Sequence, residues 1–385
     1  MCRPCGDFNL AGSALSQPAR LQLAGKTAMV TGARVNLGYH TVLRLLRCGA
    51  RVVASTRYPN DAALRYASEP DSGEWEHRLK IIGADFRAAR DVFALVEATR
   101  TALKDWGEER LDILINNAAQ TLTDSVTKEE RAVYREQQHE TAARTTGFVC
   151  QLPGVDDYRP RLRGGIAPLS LFGSTETKFL NAAGPPPENT IMLPDGVKDD
   201  GRTEIEPYFK SSWVQSLSEF PYEDLISAHA VNTFVPLILC RELLQIMGMA
   251  SAEAAKHDSK RPLGYVINVS SREGIFEAKP DHSAKRGKHV HTNMTKAALN
   301  MMTHTEAGAA WMERRVAMNS VDPGYMSAAP EMDTLHGGER PIDWEDGAGR
   351  LLWPVAIGEI EGQAIWGRFL KHYGAVDVDS KLSPE

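Results

Sequence analysis

The first segment with chemical potential is Thr31-Gly32-Ala33-Arg34-Val35-Asn36-Leu37-Gly38, which follows a short apolar run and opens an amphipathic one. A strand that turns through glycine into a helix start is a phosphate cradle. The missing side chains let backbone come close to a pyrophosphate, and the unpaired N–H groups of the helix face its charge. Cys2 and Cys5 form a C-x-x-C pair, a spacing suited to zinc or dithiol chemistry. With no second pair to complete a metal site, they read as two thiols on a loose terminus. His289 and His291 stand two apart before an apolar helical run. Metal ligation, acid–base work and simple capping are all open to them.

These residues need a frame, and hydrophobic periodicity supplies it. Thr27–Val30 reads as a buried strand, and Leu37–Arg47 as a helix with Leu37, Val42, Leu45 and Leu46 on one stripe. Cys48-Gly49-Ala50 closes that helix. Further strands follow at Arg51–Ala54, Leu79–Gly83 and Leu111–Ile115, with a helix over Val92–Leu103 between the last two. The alternation predicts an α/β fold, a Rossmann-like doubly wound parallel sheet in a single domain. From about Gln120 to Phe220 the pattern stops, and Pro/Gly text such as Ala183-Gly184-Pro185-Pro186-Pro187 replaces it. That stretch, about 120–222, reads as a large insertion. A lid over the substrate and a surface or oligomer-contact excursion fit it equally well. Regular text resumes with a helix over Glu223–Met247, a strand over Tyr265–Ser270, a helix over Thr292–Met312 and a strand over Arg315–Val321. A last strand is predicted at Gly362–Trp366. Residues 1–20 read as a flexible tail ahead of a domain spanning 21–385.

Composition narrows the function classes. In 385 residues, 42% hydrophobic and 24% charged residues describe an ordinary globular chain. A net charge of -6 gives no reason to expect nucleic acid or an anionic membrane as partner. No apolar run has the length of a bilayer span, and the first twenty residues lack the apolar centre of a signal peptide. Five scattered cysteines fit a reducing compartment, so a cytoplasmic address is expected.

Taken in order, the motifs resemble the short-chain dehydrogenase/reductase family. Its T-G-x-x-x-G-x-G turn maps onto Thr31, Gly32, Asn36 and Gly38, with Asn36 at the middle glycine. Asparagine tolerates left-handed backbone better than most residues. Asp85 after the third strand matches the acid that touches adenine, Asn116-Asn117-Ala118-Ala119 is similar to the family's N-N-A-G, and Val321-Asp322-Pro323-Gly324 matches its V-x-P-G loop. The resemblance covers roughly 21–119 and 223–327. It implies a nicotinamide cofactor held by Thr31, Gly32, Arg34, Asn36, Leu37, Gly38, Arg57, Asp85, Asn117, Ala118, Lys296, Pro323 and Gly324. The second strand runs into Ala54-Ser55-Thr56-Arg57 without the acid that would take a ribose 2′-hydroxyl, and Arg34 lies in the glycine loop. Two guanidiniums suited to a 2′-phosphate favour NADP(H) over NAD(H).

By the same resemblance, a serine polarises the substrate carbonyl, a tyrosine protonates it, a lysine four residues later binds the ribose, and an asparagine positions a relay water. The matching positions are Ser271 in Ser270-Ser271-Arg272-Glu273-Gly274, Lys296 in Thr295-Lys296-Ala297-Ala298, and Asn232 in Val231-Asn232-Thr233. The tyrosine position holds Thr292, and no Tyr-x-x-x-Lys occurs in the chain. A threonine hydroxyl relays a proton but is too weak an acid to supply one near neutral pH. His291, a tyrosine from the insertion such as Tyr208 or Tyr222, and a substrate that needs no proton all remain open. The run His289–Met302, the insertion after N-N-A-A and Trp366-Gly367-Arg368-Phe369-Leu370-Lys371 resemble a divergent branch of the family. The expectation is an NADP(H)-dependent reductase of a carbonyl, imine or activated alkene in a small molecule, acting as a homodimer or homotetramer. A cofactor-binding scaffold or sensor, or a non-redox isomerase or cyclase, is the alternative.

Overall fold

A computed structural model describes residues 3–150, 158–162, 211–249, 260–276, 285–326 and 342–377. Cys2, Tyr208 and the Ala183–Pro187 run lie outside them. The strands are β1 (Thr27–Thr31), β2 (Arg51–Thr56), β3 (Leu79–Gly83), β4 (Ile113–Asn116), β5 (Val149–Cys150), β6 (Gly264–Val269), β7 (Val316–Asp322), β8 (Phe369–Lys371) and β9 (Gly374–Val376). They form one nine-stranded sheet in the order β5-β3-β2-β1-β4-β6-β7-β8-β9, parallel except for the β8–β9 pair. β1, β4, β6 and β7 are buried along their whole length, as strands covered by helices on both faces must be.

The first helices are α1 (Arg3–Leu15), α2 (Asn36–Arg47), α3 (Pro59–Ala67), α4 (Ser72–Trp75) and α5 (Ala89–Asp105). In the insertion come α6 (Val126–Gln138) and α7 (Glu140–Thr146). After it follow α8 (Tyr222–His229), α9 (Val235–Leu243), α10 (Val290–Arg314) and α11 (Trp344–Ala356). One face of the sheet packs Val42, Leu45 and Leu46 of α2 with Leu351, Leu352 and Val355 of α11. The other packs Val92, Leu95 and Val96 of α5 with Leu239 and Leu243 of α9 and Ala307 and Ala310 of α10. The doubly wound sheet expected from the alternation is thus the architecture. No described helix is long and apolar enough to cross a membrane.

Three expectations need correction. Residues 1–20 are not a tail over their length: α1 docks on the C-terminal elements. Gly12 makes this possible, because a Cβ there would sit 2.4 Å from Tyr373 Cγ. Arg44 Nη1 donates to Ser16 Oγ (3.1 Å) and Arg350 Nη2 to Asn9 Oδ1 (3.3 Å). Gly362–Trp366 is not a strand. Gly362 and Gly367 both take positive φ (+68° and +65°), and pairing with β7 begins only at Phe369. Glu223–Met247 is helical without a break to Ile246 but not uniformly α-helical, since a π-helical turn over Ala230–Phe234 lies between α8 and α9 and a 3₁₀ turn ends it.

The insertion begins as structure attached to the main body: α6 packs over α3, and β5 extends the sheet beyond β3. Glu136, 3% exposed, accepts the N–H groups of Asn60 (2.6 Å) and Asp61 (2.9 Å) in the first turn of α3. Burial pushes its carboxyl up to about 7, against the opposing pull of those two bonds.

Two stability predictions follow from these contacts. Gly12→Val forces a branched side chain into the Tyr373 ring and should cost roughly 1–3 kcal/mol, read as a lower Tm. An unchanged Tm would mean that α1 does not dock there. Because the Glu136 proton is held more tightly in the folded chain than in the unfolded one, this group's stabilisation is full below about pH 4. It is lost as pH rises to about 7. Glu136→Gln keeps an acceptor without the charge, so the Tm of that variant should vary less between pH 4.5 and 7.5 than the parent's.

Candidate active site

At the cofactor end the motifs form one hydrogen-bonded unit. Gly32 turns the chain at φ +68°, and a Cβ on it would sit 2.8 Å from the Ala118 Cα. A Cβ on Gly38 would sit 2.5 Å from Asn117 Nδ2. Both glycines are therefore required by the approach of the β1 turn to the loop after β4. Thr31 Oγ1 accepts the N–H groups of Asn117 (3.0 Å) and Ala118 (2.9 Å), while Asn117 Nδ2 donates to the carbonyls of Thr31 (2.9 Å) and Gly32 (3.2 Å). Asn36 sits at φ +55°, the left-handed conformation that the middle glycine would otherwise supply. Val35, the N-cap of α2, contributes no side-chain cap, and the first turn carries no acid. The helix's first N–H groups are thus open to an anion.

Beside this turn lies a cleft of about 330 Å³, lined among others by Leu37, Ser55, Arg57, Asp85, Asn117 and Val231. Ser55 Oγ is buried in its wall without a hydrogen-bond partner. A glycine turn, an open helix N-terminus and an orphaned hydroxyl fit the adenosine and pyrophosphate of a dinucleotide.

Both arginines expected to meet a 2′-phosphate face this cleft beside Tyr58, with guanidinium carbons 5.1 Å (Arg34) and 5.3 Å (Arg57) from its ring centroid. Each also has a carboxylate partner. Arg34 Nη1 donates to Asp61 Oδ2 (2.8 Å), and Arg57 Nη1 to Glu129 Oε1 (3.2 Å). Glu129 comes from α6 of the insertion, is buried, and also receives Arg87 Nη1 (3.3 Å). Asp85 is buried and gripped by Arg87, through Nε (3.0 Å to Oδ1) and Nη2 (2.8 Å to Oδ2). Burial works to raise the Asp85 pKa, but the Arg87 contacts prevail and hold it below its ordinary value. Asp61, Arg87 and Glu129 went unnoticed in the sequence. The short Arg87–Asp85 spacing was visible there, whereas nothing marked Glu129.

At the reacting end, Asn232 lies within the π-helical turn. Its Oδ1 accepts the Gln120 N–H (2.7 Å), and its Nδ2 donates to Gln120 O (3.0 Å) and Thr295 Oγ1 (3.1 Å). From this turn one amide clamps the start of the insertion to α10. Ser271 caps the 3₁₀ turn Arg272–Gly274, its Oγ accepting the Glu273 N–H at 3.2 Å. A Cβ on Gly274 would lie 2.5 Å from the Lys296 carbonyl carbon, so the glycine of S-x-x-G is what admits α10 to the serine loop. Lys296 Nζ donates to Val269 O (2.7 Å) and is buried. Burial lowers its pKa to about 8, with Asp322 acting in the other direction. Asp322 joins the neighbouring loops: it accepts from Gly324 N (2.8 Å), Arg272 N (2.9 Å) and Lys371 Nζ (2.6 Å). Pro323 and Gly324, at φ +104°, therefore lie beside the serine loop.

Thr292 is 2% exposed, and its Oγ1 has no hydrogen-bond partner. The candidate stand-ins for the missing tyrosine are placed differently. The His291 ring stacks on Phe220 (4.2 Å, 11°), with Nε2 3.3 Å from Thr121 O, and burial lowers its pKa. A stacked imidazole whose charged form burial disfavours is poorly suited to be the imidazolium acid considered from sequence. His289 stacks on Trp213 (4.3 Å, 12°) and places Nε2 3.0 Å from Glu273 Oε2. Tyr222 is 84% exposed at the start of α8. Among the described residues, no group of three or more His, Cys, Asp or Glu could hold a metal ion.

Comparison with known proteins matches residues 26–143 to the short chain dehydrogenase family model. An uncharacterized protein of Acanthamoeba polyphaga mimivirus is 27% identical over 369 residues, covering 92% of this chain and 67% of the viral protein. The short chain dehydrogenase/reductase dpchH of Colletotrichum higginsianum is 36% identical over 98 residues, covering 25% of this chain but only 23% of its own length. The fold is shared with landomycin C-6 ketoreductase LanV, solved with NADP and rabelomycin bound, at a TM-score of 0.53 and 19% identity, covering 92% of this chain and 97% of that one. Over residues 26–143 the chain matches the short chain dehydrogenase family, and the motif order and sheet topology agree with that match.

Proposed function

We propose that the chain is an NADP(H)-dependent reductase of a carbonyl, imine or activated alkene in a small organic molecule, with a proton donor other than tyrosine. The observation that carries this reading is the pairing of an intact phosphate cradle with Ser271 and Lys296, while the hydroxyl at position 292 is buried and unpartnered. A bound NADPH supplies hydride. Arg34 and Arg57 would meet its 2′-phosphate, and the open N-terminus of α2 its pyrophosphate. Ser271 Oγ already accepts the Glu273 N–H, so its own proton is left to donate to the substrate's oxygen or nitrogen. The non-redox alternative draws on Thr292, because a chain that has lost its acid could keep the cradle for another use. Exposed Phe234, Leu237, Met294 and Met301 along α9, α10 and the turn before them support a homodimer or homotetramer. A cytoplasmic address remains in keeping with the cysteine pattern.

Titration of the purified chain with NADPH and NADH, followed by nicotinamide fluorescence, tests the cofactor reading. NADPH should bind the more tightly. Arg57→Ala should weaken it about tenfold, or ~1.4 kcal/mol, with little effect on NADH. Failure of both dinucleotides to bind would sink the reductase reading. Glu129 competes with a 2′-phosphate for Arg57, so Glu129→Gln should tighten NADPH severalfold and leave NADH nearly unchanged. Equal effects on the two would show that Glu129 does not neighbour the 2′ position.

A further inference from the structure

We infer that Arg87 is a specificity-determining residue of the cofactor site: it neutralises the buried Glu129 carboxylate when a 2′-phosphate draws Arg57 away. The inference rests on the NADP(H) reading and goes beyond it by naming what lets a phosphate settle beside an acid. Glu129, from α6 of the insertion, is 5% exposed. It lies between two guanidiniums. Its Oε1 accepts Arg57 Nη1 at 3.2 Å and Arg87 Nη1 at 3.3 Å, and its Oε2 accepts Arg87 Nη1 at 3.3 Å. All three residues line the cleft beside the glycine turn.

The two arginines are not equivalent. The Arg57 side chain is 33% exposed, whereas that of Arg87 is 13% exposed and held on its other edges. Arg87 Nε and Nη2 grip the two Asp85 oxygens, at 3.0 Å and 2.8 Å, and Nη2 also donates to the Arg161 carbonyl of the insertion. The Arg87 backbone N–H donates to Asp85 Oδ1 (3.0 Å), so backbone and side chain are tied to one acid. A guanidinium carries five N–H donors in a fixed fork, which allows Nη1 to face Glu129 while the opposite edge serves Asp85. Arg57 is thus the partner free to turn to a ligand, and Arg87 the one that stays.

A phosphate monoester carries about −1.5 to −2 charges near neutral pH. In taking Arg57 it would leave Glu129 a buried carboxylate short of a cation, costly through lost pairing and through repulsion from the phosphate. Arg87 removes the first cost, because Glu129 keeps a guanidinium against both oxygens throughout the exchange. A ribose 2′-hydroxyl is neutral and leaves the Arg57–Glu129 pair in place. Arg87 therefore matters for NADPH and little for NADH. It acts through Glu129 rather than by touching the phosphate, and so is a positioning residue.

The test is a double-mutant cycle on the full chain, read by nicotinamide fluorescence as the ratio of NADPH to NADH affinity. Removing Arg87 also strands the buried Asp85 carboxylate, so the cycle is built in the Asp85→Asn background, with that single variant as reference. Adding Arg87→Gln should lower the NADPH:NADH ratio about tenfold. Adding Glu129→Gln as well should return the ratio to the reference value or above it. A purely structural role for Arg87 would weaken both dinucleotides alike, with no rescue at Glu129. An unchanged ratio on adding Arg87→Gln, or no recovery on adding Glu129→Gln, rejects the assignment. A second reading does not depend on the Arg87→Gln protein folding. It uses 15N spectra of the arginine side chains in the parent, with the two signals assigned by Arg57→Ala and Arg87→Lys. NADP+ should shift the Arg57 signal further than NAD+ does and leave that of Arg87 in place. Displacement of the Arg87 signal, or none at Arg57, overturns the proposal. If neither dinucleotide binds the parent, it is the reductase reading that has failed.

Discussion

At the carboxyl ends of β1 and β4 the backbones approach so closely that no side chain fits between them. Gly32 and Gly38 leave the space, and the Thr31 hydroxyl and Asn117 amide bridge it with four hydrogen bonds. This constraint aims the uncapped N-terminus of α2 across the strand ends and so places the cofactor groove. It also extends sideways. Asn116 donates to Asn268 on β6 (2.8 Å), Asn268 to Thr303 on α10 (2.9 Å), and Ser320 on β7 to the same threonine (2.9 Å). This buried polar chain is complete except at Asn116 Oδ1, which has no partner. It holds the helix that carries Thr292 and Lys296 in register with the strands that carry the cradle.

The insertion meets both ends of the groove. Its first helix brings Glu129 to Arg57 and Arg87 and Glu136 to the start of α3. Its return brings Trp213 and Phe220 onto His289 and His291. The two histidines that invited a metal or catalytic reading are packing surfaces for that return, and His289 also fixes Glu273 next to Ser271. The described parts of the insertion thus touch both the Arg57–Arg87 cluster and the helix start beside the serine loop.

Much of this was legible because it rests on local patterns. The strand–glycine–helix turn, the alternation of strands and helices and the S-x-x-G loop each write a backbone requirement into the sequence, and even Asn36 adopts the left-handed conformation expected of it. What escaped notice depends on partners remote in sequence. α1 carries few large apolar residues and docks through a close approach at Gly12. The π-helical turn at Asn232 follows from a clamp on Gln120, 112 residues away. Glu129 looks like any surface glutamate of a charged helix until Arg57 and Arg87 are placed beside it. The last strand was read too early because Ala364, Ile365 and Trp366 look like strand text, whereas the positive φ at Gly367 delays pairing with β7 until Phe369.

Cofactor binding and catalysis are separate questions in this chain, and Thr292 bears only on the second. Whether a hydride moves at all is settled most directly by isotope transfer. With NADPH carrying deuterium at both C4 positions and a panel of ketones, imines and activated alkenes, mass spectrometry of the products should find one deuterium on the reduced carbon or, for an alkene, on the hydride-accepting carbon. Binding of NADPH with product formed but no deuterium incorporated would contradict the central claim and favour the non-redox alternative.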